Sequence, residues 1–215
     1  MFLGHFGLAL AAKKLDSKPS LGTTMMAAQF VDLLWPLLLL LNIEKVKIAP
    51  GNTAVTPLDF EFYPYSHSLV AGLIWAALFA LTYYGFKRNA GSAVLLGLLV
   101  VSHWVLDYIV HIPDLPVWLS DENKVGLGLW NSVPATLTVE LVLFLSGVII
   151  YVTATKAKNN IGRYAYWGLI VFLLLVEIAN LFSPPPPSAT AIGYVGLSQW
   201  LIIAWAYWID RNRIS

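Results

Sequence analysis

The sequence predicts an all-α integral membrane protein with six transmembrane helices and a short, half-embedded N-terminal helix. Three observations carry that expectation. Only 12% of the residues are charged and 58% are hydrophobic, against about 25% charged in soluble domains. The mean hydropathy is +0.70. Six apolar runs approach or reach the roughly 20 residues needed to cross a bilayer core. Helices are the expected form because lipid cannot satisfy unpaired backbone groups, and no alternating pattern suggests a barrel. With 215 residues the chain reads as a single polytopic domain, its motifs in 2–145 and two further helices within 162–209.

The first apolar segment, 2–12, is the short one. Eleven residues of helix reach only about 16 Å, so it must be half-embedded, tucked into the bundle or re-entrant. Lys13, Lys14 and Lys18 follow this segment rather than precede it, which argues against a cleaved signal peptide. The next segment, 21–42, contains Asp32 and Pro36. A proline cannot donate to the carbonyl four residues earlier, so a kink is expected beside Asp32. The remaining segments are 66–86, 91–111, 132–155, 162–182 and 190–209, each bounded by charge, Pro or Gly. Pro184–Pro187 forms a stiff turn before the last of them.

The basic residues alternate with this topology. Lys13, Lys14, Lys18, Lys87, Arg88, Lys156, Lys158, Arg163, Arg211 and Arg213 fall on one side, and only Lys45, Lys47 and Lys124 on the other. The positive-inside rule makes the first side cytoplasmic, together with the C-terminus. Loops 43–65 and 112–131 then face the exterior, where Tyr63, Tyr65, Trp118 and Trp130 suit a membrane–water interface. There is no cysteine, which excludes disulfides and zinc–thiolate sites, and a net charge of +1 argues against nucleic acid.

The chemistry lies in the polar residues of the apolar segments. Intramembrane ionisable side chains cost roughly 2.5–3.5 kcal/mol each on insertion scales, and persist where they pair, face water or bind something. Asp32, Asp107, Glu140 and Glu177 are such residues, and all four histidines, His5, His67, His103 and His111, lie in or at the ends of apolar segments. In SHWVLDYIVH, His103, Asp107 and His111 share one helix face. His103 lies about 12 Å below His111, Glu140 about 12 Å and Asp32 about 15 Å from the exterior ends of their helices. The topology therefore permits one polar cluster in the outer half of the bilayer, which His5 can join. Imidazole and carboxylate without thiolate suit zinc first, with manganese or iron(II) as alternatives. A site with an open position lowers the pKa of water to near 7, and a shared carboxylate allows a two-ion clamp on a phosphoryl group.

Each residue also has a plainer reading. His103 and Asp107 would serve a polar network between helices. His67, between Ser66 and Ser68, would sit at a helix cap. His111, just before Ile112-Pro113, would be an exposed interfacial residue or a general acid. Glu140 would be a ligand, a general base or a buried hydrogen-bond partner, and Glu177 with Asn180 would join helices.

GHFGLALAAKK, the aspartate of FVDLLWP, the SHS pair and SHWVLD together resemble the membrane-bound, metal-dependent hydrolases of bacterial inner membranes, also described as permeases. The likeness runs from residue 2 to about 145. The order His, Asp, His, His-x-x-x-Asp is also similar to the ligand order of the zinc-dependent phospholipase C family, an all-helical fold whose zinc cluster hydrolyses phosphoesters. The resemblance implies His5, Asp32, His67, His103 and Asp107 as ligands, with Asp107 as the bridge. It departs at two points: no histidine precedes Glu140 by four, and the chain, beginning MFLGH, offers no counterpart to that family's amino-terminal ligand. One or two ions are therefore expected.

The function expected is a hydrolase of the bacterial inner membrane with an exterior-facing site. It would act on a phospholipid or another lipid-linked phosphoester, with Glu140 or His111 moving protons. The bilayer and an amphipathic substrate are its partners, and a homo-oligomer is compatible. The competing reading is a small transporter using the Asp/His cluster as an ion or proton relay, although six helices without a repeated half are atypical of one. A third is an assembly factor whose cluster only fixes helix packing.

Overall fold

The computed structural model describes residues 1–214. The chain is all-helical apart from short strand pairs, and five to six of its elements are long and apolar enough to cross a membrane. After α1 (Leu3–Leu15) come α2 (Leu21–Ala28) and α3 (Phe30–Leu40), a pair bent by 57°. α4 (Pro64–His67) is a single turn leading into α5 (Leu69–Lys87) and α6 (Ala90–Val110). α7 (Val133–Ala154) and α8 (Asn160–Phe182) follow, and α9 (Ala189–Leu197) with α10 (Gln199–Arg211) completes one apolar stretch.

The starts of these helices are written locally. Ser20, Ser68, Asn89, Ser132, Asn159 and Ser188 each accept a backbone N–H three residues on, capping α2, α5, α6, α7, α8 and α9. Such caps are worth about 1 kcal/mol each in soluble proteins. They satisfy amides that lipid would leave bare.

The expected kink at Pro36 is not where the helix breaks. α3 runs through Pro36, and the bend falls at Gln29, whose backbone (φ −102°, ψ 10°) leaves the helical region. Pro36 instead packs against α9, where a Cβ on Gly196 would lie 2.5 Å from the proline ring. At the break the Ala28 carbonyl turns to a side chain, accepting from His103 Nδ1 at 2.8 Å.

α1 is buried in the bundle. Leu3, Phe6, Ala9 and Leu10 have no exposed surface, and the helix packs along α7 and against α2 and α6. The approach to α7 is made backbone to backbone. A Cβ on Gly7 would come within 2.6 Å of the Leu143 carbonyl, and one on Gly147 would collide with the carbonyl of Gly7. Small residues at both crossing points let the helices touch, the usual device in membrane bundles.

The two longer loops carry antiparallel hairpins that sequence patterning did not indicate, β1 (Lys45–Ile48) with β2 (Leu58–Phe62) and β3 (Leu115–Pro116) with β4 (Lys124–Val125). They fold over the end of the bundle. Tyr63, expected at a lipid interface, is fully buried there, donating to the Asp114 carbonyl at 3.1 Å. Trp130 likewise packs on the His111 ring, 4.2 Å between centroids, while Tyr65 and Trp118 are exposed as expected.

Candidate metal centre

Five residues from four helices converge: His5 (α1), Asp32 (α3), His67 (α4), and His103 and Asp107 one turn apart on α6. They form two overlapping triads, His5–His103–Asp107 and Asp32–His67–His103, each with ligand atoms within 4.8 Å of one another. His103 is the shared member. Asp107 Oδ1 lies 3.2 Å from His5 Nε2, and its Oδ2 lies 3.2 Å from His103 Nε2 and 3.9 Å from His67 Nε2. Asp32 Oδ1 lies 3.2 Å from His67 Nε2 and 3.6 Å from His103 Nε2. All but Asp32 are buried, and Asp32 keeps 25% of its side chain exposed towards an adjoining cavity.

The second nitrogens of two rings decide what the first can do. His103 Nδ1 faces only the Ala28 carbonyl, an acceptor, so Nδ1 carries the proton. His67 Nδ1 lies 2.7 Å from Ser66 Oγ, whose own proton goes to Glu44 Oε2 at 2.6 Å, so that nitrogen is also the donor. In the neutral imidazoles both Nε2 atoms then present lone pairs to carboxylates. His103 Nε2 is buried without a hydrogen-bond partner among the described residues, as is His5 Nδ1. Lone pairs facing carboxylate oxygens repel unless a proton or a metal cation stands between them. Imidazoles that donate their far N–H to a carbonyl or a carboxylate-linked group are the usual outer shell of a metal site. The buried His5/His103/Asp107 group can therefore hold a metal ion. His5 and His103 lie ring on ring, 3.6 Å between centroids and 7° from parallel.

The α-amino group of Met1 also donates to Asp107 Oδ1, at 2.6 Å. Glu140 lies beside this centre, with Oε1 and Oε2 accepting the backbone amides of Phe2 and Gly4 at 3.0 Å each. Of the roles open to it, the structure displays the buried hydrogen-bond partner, capping the otherwise uncapped start of α1. His111 stands apart from both triads. Its Nδ1 lies 2.8 Å from Asp114 Oδ1, and Tyr63 and Trp130 enclose the ring.

A scan of protein-family models and searches of curated proteins and solved structures found nothing that matches this chain.

The centre opens into a cavity of about 640 Å³ bordered by Asp32, His67, Asp107, His111 and Glu140. Apolar walls come from Trp35, Phe60, Trp130, Ile192 and Val195, and Pro184, Pro186 and Pro187 also line it. Glu177 and Asn180 line it too.

Three participants escaped sequence reading. Ser66 and Ser68 looked alike, but Ser68 caps α5 while Ser66 orients His67. Glu44, in the loop after α3, is 2% exposed and accepts from the amides of Tyr65 and Ser66 as well as the Ser66 hydroxyl. Burial pushes its carboxyl above the usual range, against the pull of these donors. Asp114, which fixes His111, sits three residues beyond it. The SHS motif was the one available signal for this outer shell. Ser66→Ala is accordingly expected to weaken metal binding by about 10–100-fold, the usual cost of losing an outer-shell partner. Competitive titration with a chromophoric chelator checks this; unchanged affinity would remove Ser66 from the centre.

Proposed function

We propose that this protein is a membrane-embedded, metal-dependent hydrolase acting on a phospholipid or another lipid-linked phosphoester. The observation that carries the reading is the convergence of the His67 and His103 Nε2 atoms on two carboxylates, with both Nδ1 atoms committed elsewhere. Zinc is the first choice for this nitrogen and oxygen donor set, with manganese or iron(II) next. His5, Asp32, His67, His103 and Asp107 would hold one or two such ions, with Asp107 as the bridge. When bound, the ion supplies Lewis acidity, polarising a phosphoryl oxygen and bringing the pKa of water towards 7.

The chain's own residues do the rest. Asp114 holds the His111 Nδ1 proton, leaving Nε2 to accept or return a proton at the cavity wall. Glu140 is a positioning residue, anchoring the start of the helix that delivers His5. Trp35, Phe60, Trp130, Ile192 and Val195 provide an apolar surface suited to an acyl chain and to excluding water. The distribution of basic residues supports placement in a bacterial inner membrane with the C-terminus cytoplasmic and the cavity open to the exterior. In that setting α1 lies half-embedded, sheltered by α7. The bilayer delivers the substrate, and a homo-oligomer fits the same arrangement.

The test uses detergent-purified protein with short-chain fluorescent phospholipids. Turnover is expected to vanish on chelation and return with zinc. His111→Asn should lower the rate by about 10²–10⁴-fold, the usual contribution of a general acid–base, without changing metal content. Turnover that survives removal of the metal would refute the reading. No turnover, with substrate flux in proteoliposomes, would favour the transporter that uses the Asp/His cluster as an ion relay.

A further inference from the structure

The other end of α7 and α8 holds a second cavity, of about 530 Å³, lined by Lys156, Lys158, Arg163 and Arg213 with Tyr166 and Trp167. Fifteen residues of α7, about 22 Å of helix, separate Thr155 at its edge from Glu140 at the metal centre. Four cations therefore share a pocket remote from the proposed chemistry. No carboxylate makes an ion pair with any of them among the described residues; the ion pairs found involve Lys13, Lys124, the histidines and the terminal amine.

Arg213 is built into this cavity rather than displayed on it. It is 9% exposed, and its Nε and Nη2 donate to Thr155 Oγ1 at 3.1 and 2.8 Å. Its Nη1 donates to the Gly162 carbonyl at 2.9 Å, and the guanidinium lies 5.2 and 4.9 Å from the ring centroids of Tyr151 and Tyr166. Two strands hold it there, β5 (Lys156–Ala157) and β6 (Arg213–Ile214), with Ala157 opposite Arg213. Gly162 permits this close return, since a Cβ there would collide with the Asn212 carbonyl. Burying a guanidinium is costly, and the neutral carbonyls and rings around it offset only part of that cost.

Around this buried cation the other charges are exposed. Lys156 and Arg163 are exposed and make no side-chain hydrogen bond among the described residues, while Lys158 Nζ reaches only the Arg211 carbonyl, at 3.1 Å. Asn159 and Asn160, at the start of α8, also line the cavity, so the positive end of that helix adds to the field. Trp167 and Tyr164, both exposed, suit the headgroup level of a bilayer.

We propose that this cavity binds a phosphate-bearing anion, supplied either by the headgroup of an anionic lipid or by free phosphate. The buried guanidinium, which keeps one Nη1 N–H uncommitted among the described residues, and three exposed cations match a phosphate's charge and supply donors to its oxygens. Basic pockets between transmembrane helices are a recurrent form of acidic-headgroup site.

The experiment follows lipid retention by native mass spectrometry on the full-length protein, using dioctanoyl phosphatidylglycerol against dioctanoyl phosphatidylcholine. In parallel, inorganic phosphate is titrated against intrinsic tryptophan fluorescence. Phosphatidylglycerol is expected to be retained at least tenfold more tightly than phosphatidylcholine, less so as salt rises. The triple variant Lys156→Gln, Lys158→Gln, Arg163→Gln alters side chains without structural ion pairs and should lose that preference. Asp107→Asn should keep it, separating this cavity from the metal centre. Preference for the anionic lipid without a phosphate response identifies the headgroup as the source; a saturable phosphate response lost in the triple variant identifies free phosphate. Equal retention of both lipids with no phosphate response, or an undiminished preference in the triple variant, overturns the proposal.

Discussion

Asp107→Asn is expected to strip the metal from the purified protein while leaving it folded. The substitution keeps the shape of a side chain that reaches His5, His103 and His67 with its two oxygens, but removes the negative charge that an ion among them requires. The loss should exceed the about 10–100-fold cost of an outer-shell change. His103→Ala removes the ligand common to both triads and should be at least as severe. Asp114→Asn is the useful contrast, because it touches only the His111 arm and should leave metal content intact. Elemental analysis of detergent-purified protein, with helicity followed by circular dichroism, measures all three. Wild-type protein that retains no metal even after reloading would reduce the cluster to a polar packing network and move the transporter ahead of the hydrolase.

Gly147→Val is expected to have the largest structural effect of any single substitution considered. The added side chain would start inside the carbonyl of Gly7, and that contact is between two backbones, neither of which can swing aside. Overpacking costs about 1–3 kcal/mol where side chains can adjust, and more where they cannot. Separating α1 from α7 would also pull Phe2 and Gly4 off Glu140 and shift His5 away from Asp107. The variant should therefore lose both thermal stability and metal. Gly72→Ala, on α5 with open space around it, should be near neutral. Thermal unfolding in detergent by tryptophan fluorescence separates the two; a Gly147→Val protein as stable as wild type would contradict the close crossing.

Much of this molecule was legible because lipid leaves the chain few options. Segments of about 20 apolar residues must be helical, and the serine and asparagine caps mark where six of those helices begin. The i, i+4 spacing of His103 and Asp107 was enough to put both on one stripe. Pro36 misled because its intrinsic effect on a helix was outweighed by its fit against the small residues of α9. Tyr63 and Trp130 misled because an aromatic near a bilayer surface looks the same whether it meets lipid or closes over a histidine.

By itself the sequence determined the helical membrane class, the helix starts and the residue types available for a metal, since these depend on composition and short-range spacing. Only the tertiary structure decided that His5, Asp32 and His67 reach the His103–Asp107 turn, and that Glu140 is engaged by backbone amides. It also decided that Glu44 acts through Ser66 on His67, across 23 residues of chain between the two ends. The physical reason is that a lone pair's direction depends on what holds the other side of its ring. Those partners, the Ala28 carbonyl and the Ser66 hydroxyl, are brought into place by a helix break and a packed loop that no local pattern encodes.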